Sequence, residues 1–178
     1  MKKIAIIGSG GSGKSTLATK LGAILKIEVF HLDALFWKPG WIGVSKQEQR
    51  VVQSELVEKD SWIFDGNYGG TIDIRLKKAD AIIFLDIPRT ICVYRVIKRW
   101  IQYRNRTRPT RPDMGEGCEE RISIGFLKWV WEYPQSQKPM ILKKLASYSN
   151  KKEIIVLHSP SEVEQFLNKV EENVQGSL

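Results

Sequence analysis

Near its start the chain reads Gly8-Ser9-Gly10-Gly11-Ser12-Gly13-Lys14-Ser15, between an apolar run at 4–7 and a helix-like segment that begins at Thr16. Consecutive glycines allow backbone N–H groups to turn inward around a phosphate, and the N-terminus of the following helix adds its positive end. This spacing is typical of a P-loop, whose lysine reaches the β- and γ-phosphates of ATP and whose hydroxyl binds Mg²⁺. The stretch therefore predicts a binding site for ATP and Mg²⁺ formed by Gly8, Gly10, Gly11, Ser12, Gly13, Lys14, Ser15 and Thr16.

The same glycines also fit the Gly-x-Gly-x-x-Gly motif of dinucleotide-binding proteins, through Gly8, Gly10 and Gly13. Asp33 lies at about the ~20-residue offset at which that motif places a ribose-binding acid. A dinucleotide-binding turn, however, packs a small or apolar residue against the sheet where this chain has Lys14 and Ser15. We therefore favour the P-loop interpretation.

Composition is that of an ordinary globular protein, with 178 residues of which 42% are apolar and 27% charged. This length predicts a single domain over 1–178. The apolar run at 4–7 is too short for a secretion signal or a membrane span, so we expect a cytoplasmic protein without membrane contact. The two cysteines, Cys92 and Cys118, are not at metal-ligand spacing and are expected to be reduced thiols. No pattern indicates the oligomeric state.

Positive charge is concentrated in one stretch, although the formal net charge of the whole chain is +8. Residues 87–112 contain eight lysines and arginines and no acidic residue, and the rest of the chain is balanced. A single basic element is therefore more consistent with the sequence than a polyanion-binding surface over the whole protein. Such an element is either a lid over bound phosphates, at about 104–121, or a patch that contacts DNA, which we consider less well supported.

Strand-like and helix-like patterns alternate along the chain, which predicts an α/β fold. We expect three α/β/α layers around a five-stranded parallel sheet. The predicted strands are 3–7, 27–32, 61–64, 81–85 and 153–157, and the predicted helices include 14–25, 45–59, 88–103, 118–133, 135–148 and 161–172. Residues 34–43 are predicted to be an aromatic loop, which opens an acceptor-side insertion at about 34–60.

Three carboxylates, those of Asp33, Asp65 and Asp86, each follow a predicted strand. In open α/β sheets, ligands bind outside the carboxyl ends of the strands, although each aspartate could instead cap the next element. Asp65 follows an apolar strand as a Walker-B carboxylate does, and we prefer it to Asp86 for Mg²⁺. Asp33 is placed to take a proton from an acceptor hydroxyl.

Aromatic and histidine residues near these carboxylates have less certain roles. Trp37 and Trp41 flank a Pro-Gly turn, where they could stack on an acceptor or belong to the core. His31 and His158 have no evident partner in the sequence and are expected to be ordinary polar side chains.

Several motifs carry a resemblance to known proteins. The glycine-rich loop, Phe64-Asp65-Gly66 and Arg95-Val96-Ile97-Lys98-Arg99 are similar to adenylate-kinase-like small-molecule kinases. Leu85-Asp86-Ile87-Pro88-Arg89, Arg111-Pro112-Asp113-Met114 and Gly117-Cys118-Glu119-Glu120-Arg121 look like the proteins named DNA topology modulation protein (FlaR-related). The resemblance implies a P-loop NTPase of the nucleoside/nucleotide kinase type with an arginine-rich lid.

The kinase resemblance also implies roles for individual arginines. Arg95 would stack on the adenine, Arg99 would contact the transferring phosphates, and Arg111 and Arg121 would be lid arginines. The chain departs from nucleoside monophosphate kinases at 67–69, where Asn-Tyr-Gly replaces Phe-Pro-Arg, and this departure argues against a nucleoside monophosphate acceptor. Arg75 either replaces the missing arginine or is solvated.

The function expected from these features is transfer of the γ-phosphoryl group of ATP to a small-molecule acceptor that the sequence does not identify. Its catalytic residues would be Lys14, Asp33, Arg99, Arg111 and Arg121, because phosphoryl transfer is catalysed chiefly by positioning and by neutralising charge. The alternative is an ATP-binding regulatory protein that contacts DNA through the basic stretch and modulates its topology.

Overall fold

The computed structural model describes residues 1–103, 113–115, 117–118 and 121–176. Its strands are β1 (Lys3–Gly8), β2 (Val29–His31), β3 (Trp37–Lys38), β4 (Ile42–Gly43), β5 (Trp62–Asp65), β6 (Ala81–Leu85) and β7 (Glu153–Leu157). Its helices are α1 (Lys14–Leu25), α2 (Leu32–Phe36), α3 (Lys46–Leu56), α4 (Ile72–Lys78), α5 (Arg89–Tyr103), α6 (Ile124–Ser136), α7 (Lys138–Ala146) and α8 (Pro160–Gln175).

Five strands form one parallel sheet in the order β2-β5-β1-β6-β7. The first strand lies in the middle, where Ile4 is paired with Ile63 on one side and with Ala81 on the other. The chain therefore leaves β1 at the centre of the edge where the carboxyl ends of all five strands meet.

Side chains of β1 alternate between two hydrophobic cores, one on each face of the sheet. Ile4 and Ile6 pack in a core with residues of α1, α5 and α8, whereas Ala5 and Ile7 pack in a core with residues of α3, α4 and α7. Alternation of this kind follows from the two-residue period of a strand. The predicted three-layer α/β/α fold with a five-stranded parallel sheet is confirmed.

The interpretation of 34–43 as a loop is wrong. Helix α2 (Leu32–Phe36) precedes a two-stranded antiparallel ribbon, β3 with β4, which turns at Pro39 and Gly40. Leu32 and Phe36 are four residues apart and both fully buried, so burial of one face stabilises a short helix that lacks an amphipathic pattern of useful length.

Helix boundaries differ from the prediction mainly at an N-terminus that is set by a capping side chain. Helix α6 begins at Ile124 instead of 118, because the Ser123 hydroxyl accepts the backbone N–H of Phe126. Helix α3 is capped in the same way, since the Ser45 hydroxyl accepts the backbone N–H of Glu48. Both cysteines are free thiols. In the described ranges, no helix has the length and apolarity that a membrane span requires.

Candidate active site

The glycine-rich loop runs from the end of β1 to the start of α1 and is packed tightly against α5. Gly11 has a φ of 75°, and a Cβ atom at this position would lie 2.3 Å from the carbonyl oxygen of Cys92. Only glycine combines this left-handed conformation with so close an approach to another backbone. Lys14 folds back over the loop, where its ammonium group donates to the carbonyl of Ser9 at 2.9 Å.

A cleft of about 1030 Å³ opens above the carboxyl edge of the sheet. It brings together most of the residues that the sequence singled out: Gly10, Gly11, Gly13, Lys14, Ser15, Thr16, Asp33, Asp65, Arg95, Arg99 and Arg121. Arg111 lies outside the described residues. In this cleft the glycine-rich loop, strand-end carboxylates and arginines of distant segments therefore meet.

Gly8 and Ser12 belong to the loop but do not line the cleft. The N–H of Gly8 donates to Oδ1 of Asn67 at 3.1 Å, which ties the loop to the segment that follows β5. Ser12 is 2% exposed, and its hydroxyl has no hydrogen-bond partner in the part of the chain that the structure describes. We infer that Gly8 and Ser12 stabilise the conformation of the loop from the side that faces away from the cleft.

Asp65 occupies the cleft at the end of β5, beside His31 at the end of β2. The two residues are register partners on adjacent parallel strands, and Oδ2 of Asp65 lies 2.9 Å from Nδ1 of His31. The expectation that His31 lacks a partner is therefore wrong. The pair forms because β2 and β5 are neighbours in the sheet, which brings the side chains at their carboxyl ends together.

The other carboxylate oxygen of Asp65, Oδ1, is buried without a hydrogen-bond partner among the described residues. A buried carboxylate oxygen is costly unless it binds a donor or a cation. With the Ser15 hydroxyl in the same cleft, this oxygen suits a water ligand of Mg²⁺. Within the described ranges, no group of three or more His, Cys, Asp or Glu residues could hold a metal ion.

Asp86 does not line the cleft. Its Oδ2 accepts from Nζ of Lys138 at 2.7 Å and lies 3.2 Å from Nδ1 of His158, so the expectation that His158 lacks a partner is also wrong. The structure thus places Asp65, and not Asp86, in the cleft that Lys14 and Ser15 line.

Asp33 faces the cleft just after β2 and is oriented by Tyr68. The phenolic hydroxyl of Tyr68 donates to Oδ1 of Asp33 at 2.8 Å. Burial raises the pKa of Tyr68, and the charge of Asp33 and this hydrogen bond raise it further, so the phenol keeps its proton at neutral pH. The sequence did not indicate Tyr68, because a tyrosine 35 positions from Asp33 has no local pattern that points to it.

Arg75 is neither solvated nor a ligand of the cleft, and both expectations for it are wrong. Its side chain is 0% exposed and donates to Oε1 of Gln53 at 2.8 Å, to the carbonyl of Gly66 at 2.7 Å and to the carbonyl of Asn67. Burial lowers its pKa to about 9 against the opposing attraction of Asp65, so the guanidinium is charged at neutral pH. Arg75 therefore holds the backbone after β5 from behind.

Arg95 and Arg99 project from one face of α5 into the cleft, as their four-residue spacing allows. The Arg95 guanidinium donates to the carbonyl of Ser12 at 3.2 Å, so it already contacts the glycine-rich loop. Arg121 reaches the cleft from the segment before α6.

Trp37 and Trp41 line the cleft from the β3–β4 ribbon, with their ring centroids 5.6 Å apart. Three residues of the segment before α6 contact this ribbon, namely Gly115, Gly117 and Cys118. The N–H of Gly40 donates to the carbonyl of Gly117 at 3.2 Å, and the Cys118 thiol donates to the carbonyl of Lys38 at 3.2 Å. The two tryptophans thus pack on each other at the cleft and belong to neither hydrophobic core, and their stacking on an acceptor stays a prediction.

Comparison with known proteins supports the fold. The chain matches no known protein-family profile. It is 27% identical over 135 residues, which is 74% of this chain and 72% of the other, to an uncharacterized protein, YqaC, of Bacillus subtilis (strain 168).

Two solved structures share the arrangement of the whole chain. Shikimate kinase from Acinetobacter baumannii, in complex with shikimate, has a TM-score of 0.59 at 15% identity, with 99% of this chain and 94% of that chain covered. Deoxyadenosine kinase from M. mycoides, with the products dCMP and a flexible dCDP bound, has a TM-score of 0.51 at 16% identity, with 96% and 98% covered. The chain has the P-loop kinase fold. No comparison supports the resemblance to DNA topology modulation proteins.

Proposed function

We propose that this protein is an ATP- and Mg²⁺-dependent phosphotransferase that moves the γ-phosphoryl group to a small-molecule acceptor. The observation that carries the proposal is the single cleft that unites Lys14, Arg99, Arg121 and Asp33. Both solved neighbours are named as kinases of small molecules, which agrees with the proposal.

In this proposal each side chain binds the phosphates or the metal, neutralises their charge, or accepts a proton. ATP bound with Mg²⁺ supplies the phosphoryl group and part of the charge neutralisation. Lys14 binds the β- and γ-phosphates, while Ser15 and Asp65 hold the metal and its water. Arg95 binds the nucleotide, and Arg99, Arg111 and Arg121 neutralise charge on the phosphoryl group in transfer. Asp33, oriented by Tyr68, accepts the proton of the acceptor hydroxyl.

The decisive variant is Lys14→Ala. We expect it to abolish turnover and to weaken ATP binding, because the lysine directly neutralises the phosphates. Calorimetry with ATP and Mg²⁺, together with ADP release over a panel of nucleosides, sugars and small acids, measures both effects. Lys169→Ala, at an exposed position of α8 outside the cleft, is the control for the loss of a lysine. Unchanged ATP affinity in Lys14→Ala, or tight binding of NADH by the wild type, would contradict the proposal.

A further inference from the structure

Asn67 lines the cleft just after β5, two residues beyond Asp65. Its side chain lies where the glycine-rich loop begins, because Oδ1 accepts the backbone N–H of Gly8, the last residue of β1, at 3.1 Å. Lys14 folds back to the carbonyl of Ser9, the next residue along the loop. The side chains of Asn67 and Lys14 are thus hydrogen-bonded to adjacent residues of the loop.

The order of the strands places Asn67 between the two partners of the proposed transfer. Strand β5 lies between β2, which leads to Asp33, and β1, which leads to the glycine-rich loop. A residue just after β5 is therefore flanked by the loop that binds ATP and by the carboxylate that takes the acceptor proton. The γ-phosphoryl group is the part of ATP that faces the acceptor, so it is the phosphate expected nearest to Asn67.

The orientation of the Asn67 side-chain amide follows from its contact with Gly8. The backbone N–H of Gly8 needs an acceptor, so the amide oxygen faces it and the NH₂ group does not. The NH₂ group is on the other branch of the planar amide, and it has no hydrogen-bond partner within the described ranges. Since the side chain is half-buried in the lining of the cleft, this group offers two donors to a ligand there.

The backbone around Asn67 is supported from behind the cleft. Arg75 donates to the carbonyls of Gly66 and Asn67, and the N–H of Gly66 donates to the carbonyl of Ile6 at 3.4 Å. Gly66 has a φ of 141°, and a Cβ added to it would lie 3.0 Å from the side chain of Leu32. Asn67 is therefore held in place before a ligand binds, which lowers the entropic cost of binding through its amide.

We propose that Asn67 is a further substrate-binding residue, whose side-chain NH₂ group donates a hydrogen bond to an oxygen of the γ-phosphoryl group. This inference rests on the proposed phosphotransferase function and deepens it. Oδ1 holds the start of the glycine-rich loop, while Nδ2 binds the terminal phosphate. Because ADP lacks that phosphate, the contact of Nδ2 distinguishes ATP from ADP, whereas the contact with Gly8 supports the binding of both nucleotides.

Two substitutions separate these contacts. Asn67→Ala removes both of them, whereas Asn67→Asp keeps an oxygen for the N–H of Gly8 and replaces the NH₂ group with a second, charged oxygen. Calorimetry with Mg²⁺ compares ADP with a non-hydrolysable ATP analogue that retains the γ-phosphate oxygens. We expect Asn67→Ala to lower the ratio of the Kd for ADP to the Kd for the analogue by about tenfold or more. Asn67→Asp should lower this ratio further, because its charge repels the γ-phosphate.

A role confined to holding the loop predicts different results. Asn67→Ala would then weaken binding of the analogue and of ADP by the same factor, and Asn67→Asp would bind both as the wild type does. An unchanged ratio in Asn67→Ala overturns the inference. Failure of the wild type to bind the analogue and ADP contradicts the proposed function instead.

The control for the added charge is Asn168→Asp, at an exposed position of α8 outside the cleft. It should leave both Kd values unchanged, and a loss equal to that in Asn67→Asp overturns the inference.

A crystal structure of the wild type with Mg²⁺ and the analogue tests the contact without any substitution. We expect Nδ2 of Asn67 to lie within about 3.2 Å of a γ-phosphate oxygen. An Nδ2 atom that makes no hydrogen bond to the γ-phosphate in this complex overturns the inference, even where both variants have lost affinity.

Discussion

Arg75 illustrates how one buried side chain sets the shape of a site that it does not enter. Its guanidinium donates to two backbone carbonyls and to a buried glutamine. We expect Arg75→Ala to lower the free energy of unfolding by about 2–4 kcal/mol, since it leaves buried acceptors unpaired and opens a cavity. Urea denaturation measures this change. Lys77→Ala, at an exposed position of the same helix, is the control and should change it by less than about 0.5 kcal/mol.

Asp33 carries the proton transfer in the proposed reaction. Asp33→Asn keeps the shape of the side chain but not its basicity, so we expect kcat to fall by about 10²–10⁴-fold. The Kd for ATP should stay near the wild-type value, because Asp33 follows β2 and β5 separates that strand from β1, which leads into the glycine-rich loop. Tyr68→Phe, which removes only the orienting hydroxyl, should reduce kcat less. Near-normal transfer by Asp33→Asn would remove this residue from the catalytic set.

At the scale of elements, the sequence predicted the long and regular segments well. The predicted bounds of α1, β6 and β7 agree with the structure, because a glycine-rich start or a continuous apolar run marks each of them. Helix α2 and the ribbon were missed, because a five-residue helix and two strands of two residues each are too short to show a period. Their stability comes from tertiary contacts, which local patterns do not record.

The residues of the candidate site also divide into those that the sequence predicted and those that it did not. Lys14 and Ser15 were predictable, because the loop that positions them is contiguous in sequence. The pairs His31–Asp65 and Tyr68–Asp33 were not, because each joins residues more than thirty positions apart through strand order and loop packing. The burial of Arg75 also escaped prediction, since the basic neighbours on its helix suggested a solvated face.

The ribbon is coupled to the segment before α6 through contacts of Gly115, Gly117 and Cys118. A Cβ at Gly115 would lie 2.1 Å from the carbonyl oxygen of Trp37, so Gly115→Ala is expected to displace the segment from the ribbon. We expect KM for the acceptor to rise about tenfold or more while ATP affinity changes little. Gly69→Ala is the matched control, because no atom lies within 4 Å of its added Cβ. Steady-state kinetics over both substrates measure the effect, and equal behaviour of the two variants would refute the coupling.

Over the whole molecule, the distribution of positive charge bears on the choice between a lid and a DNA surface. Arg95 and Arg99 face the cleft, and Arg121 joins them from the segment before α6. Lys98, on the same helix, instead lies 5.9 Å from the ring of the exposed Tyr94. Three of the described arginines, Arg95, Arg99 and Arg121, thus line the same cleft as the glycine-rich loop, which favours closure over phosphates as the role of the basic stretch.

If the basic stretch acts as a lid, its arginines neutralise charge most strongly when the phosphoryl group is in transfer, inside a cleft from which water is excluded. We therefore expect Arg99→Ala to lower kcat by a larger factor than it weakens ATP binding, and ATP with Mg²⁺ to protect residues 104–121 from trypsin. Lys98→Ala, one position away but on the outer face, is the control and should leave kcat and ATP affinity unchanged. On the DNA alternative, duplex DNA would protect the stretch, and its affinity would fall with salt at a log–log slope of about −0.9 per phosphate contacted. Equal cleavage with and without nucleotide, together with protection by DNA, would contradict the lid, because a group that closes over bound phosphates must be shielded when they are present.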